Sequence, residues 1–237
     1  MRVARGFDVL SQAAEMPQSG RPSASRERLR REAIDLASSE DLIDAAYCYC
    51  LVPLEAPAAE LLCAGGETLF APWLLPASGQ LTAIACGVCT LGPLLEKRVS
   101  ELFSERRASL ALALDGLGNE LLFAISRRAQ DRMQADVARR GLSMAGELRA
   151  GDPGLALDAQ GAVLRLAQAE TIGVHLKPGH LMQPMKSTSM VLGVGIDLPA
   201  VHWSRCDTCP TRDKCAVVAR AQSPNPAELA LNPALSA

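Results

Sequence analysis

An α+β fold is predicted from three features of the chain. Stretches with period-two alternation and stretches with helical spacing both recur, and they follow one another in no strict order. At 237 residues the chain can bury a sizeable core without disulfide or metal staples. Apolar residues make up 49% of the chain and aromatic ones only 3%. The core is therefore built mainly from Ala, Leu and Val. Four segments are expected: a flexible N-terminal arm over 1–25, an α+β body over 26–205, a cysteine-rich loop over 206–220 and a disordered tail over 221–237.

The elements are read in chain order. PQSGRPSASRE closes the arm, and Ser25 is placed to cap a helix over 26–39, where Leu29, Ala33, Ile34 and Leu36 share a face. AAYCYCLVPLE alternates as a strand, with Tyr47, Tyr49 and Leu51 on one side and Cys48, Cys50 and Val52 on the other. QLTAIACGVCTLG, residues 80–92, reads as a second strand, and Pro93 suits the helix start that follows. Leu94, Leu95, Val99, Leu102 and Phe103 carry that helix. The longest periodic stretch, 109–140, is helical, and Gly116 and Gly118 within it suggest close packing. GLSMAGELRAGDPG returns to strand and turn, 156–169 is helical, and TIGVHL and STSMVLGVGID are strand-like.

Composition excludes several classes. The formal net charge is −2, with no basic run or aromatic ladder, so nucleic acid is not expected as a partner. The first eighteen residues contain no secretory apolar core, and no later stretch reaches eighteen apolar residues without a charge. A cytoplasmic protein with no membrane partner is expected. There is no GxSxG, no Walker loop and no GxGxxG, and His175, His180 and His202 have no metal-ligand spacing.

In a reducing compartment eight cysteines point to buried thiols, metal ligands or redox chemistry rather than a disulfide framework. CDTCPTRDKC places Cys206, Cys209 and Cys215 within ten positions. A CxxC turn presents two sulfurs on one side, and a third cysteine six residues on can fold back to the same point. That suits a tetrahedral thiolate site or three corners of an iron-sulfur cube, with 4Fe-4S favoured and zinc the alternative. Arg205, Arg212 and Lys214 favour thiolates. His202, a distant cysteine such as Cys48, Cys50 or Cys63, water or substrate would be the fourth ligand. Cys86 and Cys89 also form a CxxC, but on a strand they point to opposite faces and are read as buried apolar residues.

Three stretches, ACGVCTLGPLLEKRVSELF, ALALDGLGNELL and the run from Asp152 to Gly195, resemble the activation domain of cobalamin-dependent methionine synthase in its short stand-alone versions. The shared marks are Thr90-Leu91-Gly92 before a helix with Glu96, the step Leu114, Asp115, Gly118, the pair Pro153-Gly154, and M-x-P-x-K-S-x-S over Met182, Pro184, Lys186, Ser187 and Ser189. Stand-alone relatives end in a C-x-x-C-x5-C segment, matched here at Cys206, Cys209 and Cys215.

The resemblance implies a central antiparallel sheet flanked by helices, and work on a corrinoid protein whose cobalt has fallen to inactive cob(II)alamin. It implies a cofactor-binding surface over Arg149, Pro153, Gly154, Pro184, Lys186, Ser187 and Ser189. In the synthase this domain binds S-adenosylmethionine and docks over cobalamin, so that an electron and a methyl group restore methylcobalamin. The chain departs from the family's R-x-x-P-G-Y turn, with Ala150 at the arginine position, Arg149 one residue out of register and Leu155 at the tyrosine position; Phe123 replaces an acidic residue. These departures count against S-adenosylmethionine as a ligand. The expected function is an iron-sulfur protein that reductively reactivates or partners a corrinoid-dependent methyltransferase, served by an electron donor. The alternatives are a zinc-stabilised scaffold and a direct corrinoid binder.

Overall fold

The computed structural model describes residues 1–11 and 23–199. Five strands, β1 (Arg2–Arg5), β2 (Ala46–Pro53), β5 (Gln80–Thr90), β6 (Ser143–Leu148) and β9 (Ser187–Ile196), form one sheet in the order β1-β2-β5-β9-β6. Every neighbouring pair is antiparallel. Two small hairpins stand apart, β3 (Leu61–Ala64) with β4 (Glu67–Phe70), and β7 (His175–Lys177) with β8 (Leu181–Gln183). Among the described residues four helices pack with these strands: α1 (Ala24–Ser39), α2 (Leu94–Ser104), α3 (Ala108–Ala138) and α4 (Gln160–Ala167). The class is the predicted α+β, with the central antiparallel sheet that the resemblance implied.

Alternation along β2 explains why the sheet is covered on both sides. Tyr47 and Tyr49 join the apolar cluster beneath α1 and α3, whereas Ala46 and Cys48 join the cluster beneath α4 and the β3–β4 hairpin. Cys89 and Cys86 separate in the same way, into the first and second clusters, as two strand positions three apart must. On α3, Leu110, Leu114, Leu117, Leu121 and Ile125 are buried at helical spacing. Each contributes about 2 kcal/mol through removal of apolar area from water. Among the described residues α3 is long and apolar enough to cross a membrane, yet it packs against α1, α2 and the sheet as a core helix. Gly118 gives Leu95 and Lys186 room to approach, since an added Cβ would lie 3.1 Å from Leu95 and 3.3 Å from Lys186. Gly116 faces open space and has no such packing role.

Some details differ from expectation. The sheet begins inside the segment read as a flexible arm: Val3 pairs with Cys48, and Arg2–Arg5 form an edge strand. Ser23, not Ser25, caps α1, its Oγ accepting the Arg26 N–H at 3.3 Å. The helix starts two residues earlier than its apolar pattern, and the cap moves with it. TIGVHL is strand only from His175. Gln168 takes a left-handed conformation that ends α4, and Ala169–Ile172 tighten into a 3₁₀ turn before the strand can begin. The cysteine segment 206–220 and the tail 221–237 lie outside the described residues, as do residues 12–22 and 200–205.

Candidate functional site

The sequence marks converge on one polar seam, where α3 crosses the start of β9 and the end of β6. Thr90 pairs with Ser187 across β5 and β9, so the Thr90-Leu91-Gly92 turn meets the Lys186-Ser187 step directly. The Leu91 N–H donates to the Lys186 carbonyl at 3.0 Å. Ser187 Oγ donates to Thr90 Oγ1 at 2.9 Å, and that oxygen also accepts the Gly92 N–H at 3.1 Å. Ser187 is therefore buried as the lock of a strand-to-helix turn.

Lys186 points to the opposite side of the strand, toward α3. Its ammonium lies 2.8 Å from Asp115 Oδ1 and donates to Asn119 Oδ1 at 2.7 Å. Only 13% of its side chain is exposed, so these charge-assisted contacts are shielded from water. Glu96, in the first turn of α2, accepts from Gln183 Nε2 at 3.1 Å and from the Met185 N–H, and so clamps the loop that contains buried Pro184. The Gln183–Pro184 peptide is cis.

Two residues further along β9, roughly 7 Å from Lys186, Thr188 accepts from Arg149 Nη1 at 2.8 Å. The Arg149 guanidinium also donates to Ser126 Oγ at 3.1 Å and to Glu147 Oε1 from Nε and Nη2 at 2.9 and 2.7 Å. Its backbone N–H is accepted by Asp152, whose own N–H returns to the Arg149 carbonyl. That tight turn carries exposed Pro153 and then Gly154, at φ +85°, where a Cβ would lie 2.7 Å from the Trp73 ring. Only glycine satisfies both the left-handed backbone and the indole contact. Leu155, next along, is buried in the cluster under α4.

Ser189 faces the α4 side rather than the seam and donates to Gln160 Oε1 at 3.3 Å. Gln160 is itself buried, and its amide nitrogen has no hydrogen-bond partner among the described residues.

The seam sets two cations, Arg149 and Lys186, against four carboxylates, Glu147, Asp115, Glu96 and Asp152. Four of the five guanidinium N–H donors of Arg149 are already engaged, so it presents no free fork to a ligand carboxylate. No nucleophile stands beside a base among the described residues of the seam. The arrangement suits binding and docking rather than covalent chemistry. Exposed Met185 adjoins it, exposed Phe123 lies one turn beyond Asn119 on α3, and Trp73 covers the Gly154 turn, giving the polar seam an apolar rim.

Among the described residues no group of three His, Cys, Asp or Glu side chains is placed to hold a metal ion. Cys48 and Cys50 are buried and Cys63 is partly exposed. Desolvation pushes the Cys48 thiol up to about 11. Burial raises Cys86 and Cys89 as well, so these sulfurs stay protonated core groups. His175 and His180 are exposed. Cys206, Cys209 and Cys215 lie outside the described residues, as does His202.

A five-strand antiparallel sheet with α1 to α3 on one face and α4 on the other, and a polar seam at the β6–β9 edge, defines an α+β domain. No protein-family model matches the chain, and no curated protein matches it. Solved structures do: a crystal structure of the MetH reactivation domain bound to AdoHcy aligns over 87% of this chain and 83% of that one, at a TM-score of 0.63 and 13% identity. The two share a fold.

Sequence reading singled out Arg149, Lys186, Asp115 and Glu96 but missed Glu147, Asn119, Ser126 and Thr188. A signal for most of them was present. Asp115, Asn119 and Ser126 sit four and then seven residues apart on one face of an otherwise apolar helix, and Glu147 shares a strand face with Arg149.

Proposed function

We propose that this protein docks through the β6–β9 seam onto a corrinoid-dependent methyltransferase, or its cobalamin-binding domain, and assists reductive reactivation of the bound cobalt. The observation that carries the reading is the shared fold with the MetH reactivation domain over 87% of the chain. The meeting of Thr90, Asp115, Arg149 and Lys186 at one seam supports it further.

Cys206, Cys209 and Cys215 would hold a 4Fe-4S cluster, which when bound supplies one low-potential electron received from a separate donor. On the partner that electron would reduce cob(II)alamin to cob(I)alamin, and this chain would form no bond to the cobalt. Its seam residues orient and exclude. Arg149 and Lys186 are fixed by their carboxylates, and Met185, Phe123 and Trp73 form a rim that closes against a partner surface and keeps water from the buried contact. The Arg149 guanidinium is occupied by Glu147, and Leu155 is buried where a tyrosine would face the site, so the residues present do not fit S-adenosylmethionine in the manner the family implies.

The test is anaerobic purification with absorption spectra and iron, sulfide, zinc and cobalt analysis for the wild type and Cys209→Ala. Equal iron and sulfide, lost in the variant, with cob(II)alamin reduction lost in parallel, is the expected result. Zinc alone would remove the electron-transfer step and leave a scaffold. Met185→Asp should weaken binding of the cobalamin domain while the cluster stays intact, which separates docking from redox chemistry.

A further inference from the structure

At the sheet edge opposite the seam, three to four strand spacings or roughly 14–19 Å away, edge strand β1 and the last turns of α3 line an open cavity of about 440 Å³. It is lined by Arg2, Val3 and Ala4 from β1, Tyr47 from β2, and Arg128, Asp131, Arg132 and Ala135 from α3. The four α3 positions are spaced i, i+3, i+4 and i+7, so they form a single helix face left open because the sheet ends at β1.

Three guanidinium groups from two separate elements line this cavity, against one carboxylate, Asp131. Each is held by a contact that leaves its terminal nitrogens unused. Arg2 donates its Nε to Asp136 at 3.0 Å, and Arg132 places its Nε 3.8 Å from the same residue. Arg128 lies over the Phe7 ring at 4.5 Å, a cation-π contact. Phe7 packs in turn on Tyr47, with ring centroids 5.6 Å apart. None of the three makes a hydrogen bond through a terminal nitrogen to any described residue. Asp136 sits behind the cavity, only 6% exposed, with Tyr49 and Arg139 as further partners. It anchors two of the arginines without filling the space between them. Exposed Arg127, Arg139 and Arg140 continue the positive surface along α3, in a chain whose net charge is −2.

From this geometry we infer a phosphate-binding site: the Arg2–Arg128–Arg132 cavity takes the phosphate group of a small molecule. Guanidinium forks match phosphate oxygens in a way an ammonium does not, and holding them before the ligand arrives lowers the ordering cost of binding. The volume lies in the range of small-molecule sites and exceeds the needs of a single phosphate. Asp131 on the rim disfavours anionic charge there and leaves a carboxylate to accept from a ligand hydroxyl. The ligand expected is therefore a phosphate ester or diphosphate with a polar, uncharged body. The site is independent of the corrinoid reading, since it shares no residue with the seam.

The experiment is calorimetric titration of the full chain with sodium pyrophosphate, inorganic phosphate and citrate at low ionic strength. It is repeated for Arg128→Ala, Arg132→Lys and Arg107→Ala; Arg107 bridges Glu32 at the N-terminal end of α3 and serves as the control. Saturable one-to-one binding of pyrophosphate is expected, at least tenfold weaker in Arg128→Ala, several-fold weaker in Arg132→Lys and unchanged in Arg107→Ala. It should also weaken with added salt, because the guanidinium groups are partly solvated. Pyrophosphate stronger than phosphate assigns the site to a diphosphate group, and equal binding assigns it to a single phosphate. Three results would overturn the inference: no saturation by either phosphate at millimolar concentration, citrate binding as tight as pyrophosphate, or equal loss in Arg107→Ala. Arg128 is exposed and stacks on Phe7 from the solvent side, so Arg128→Ala keeps its fold and the test its meaning.

Discussion

Removing Asp136 tests the tie between sheet and long helix. Tyr49, on β2, is 1% exposed, and its hydroxyl donates to Asp136 Oδ2 at 2.6 Å, a short charge-assisted bond. Asp136→Ala leaves that hydroxyl in the core with only the long 3.5 Å contact to the Arg132 carbonyl, which costs about 1–3 kcal/mol by itself. It also removes the partner of Arg2, Arg132 and Arg139, but these side chains are 47–57% exposed and rehydrate, so their loss adds only a little more. A total of about 3 kcal/mol is expected, which for a chain of this length lowers Tm by about 6–12 °C. Tyr49→Phe deletes the donor and leaves Asp136 with its arginines, costing about 1–2 kcal/mol. In the double variant no hydroxyl is stranded, so its cost should fall below that of Asp136→Ala alone and the coupling should reach about 2–3 kcal/mol. Equilibrium urea unfolding of the four proteins measures each term. Additive single costs would refute the idea that the buried hydroxyl, rather than the surface charges, sets the penalty.

Three further expectations rest on separate observations. The Tyr49 hydroxyl, with help from Arg2, Arg139 and Arg132, holds the Asp136 carboxyl below its ordinary value. Its stabilisation is complete above the unfolded carboxylate pKa and is lost as pH falls through the lowered folded value. Acid unfolding monitored by far-UV circular dichroism should therefore be flatter in Asp136→Asn, and identical acid limbs would count against it. Gly154→Ala places a Cβ 2.7 Å from the Trp73 indole at φ +85°. The left-handed backbone alone then costs about 1–2 kcal/mol for a residue with a side chain. A change in tryptophan emission should accompany the loss, and an unshifted urea midpoint would contradict both. Burial raises the Cys48, Cys86 and Cys89 thiols, so among the described cysteines iodoacetamide at neutral pH should label Cys63 first and reach those three only in urea. Peptide mapping that found Cys86 alkylated in the folded protein would show that the core opens there.

Local pattern carried much of the architecture. Alternation in β2, β5 and β9 and the long periodic run of α3 mark these elements because each buries whole faces, and burial leaves a period in the residues. The β3–β4 hairpin left little trace, since four-residue strands are too short to show one. β1 was hidden for a different reason: an edge strand needs no apolar face, and Arg2–Arg5 are held by pairing with β2 and by polar contacts of Arg2 and Arg5 that leave no period in the sequence. The same logic covers TIGVHL, whose β-branched residues suggested strand while a left-handed Gln168 forced a turn.

The α+β class, the opposite facing of Cys86 and Cys89, and the chemical interest of Asp115, Arg149, Lys186 and Ser187 were all legible in the order of residues. Other features became visible only in three dimensions. Three of those four residues share a seam while Ser187 turns inward as a lock, Glu147 occupies the Arg149 guanidinium, and Arg2 meets Arg128 and Arg132 from the far end of the chain. Periodicity records which side of its own element a residue faces. It carries no record of which other element comes to lie opposite, because that follows from the order in which strands pair and from how the helices cross them.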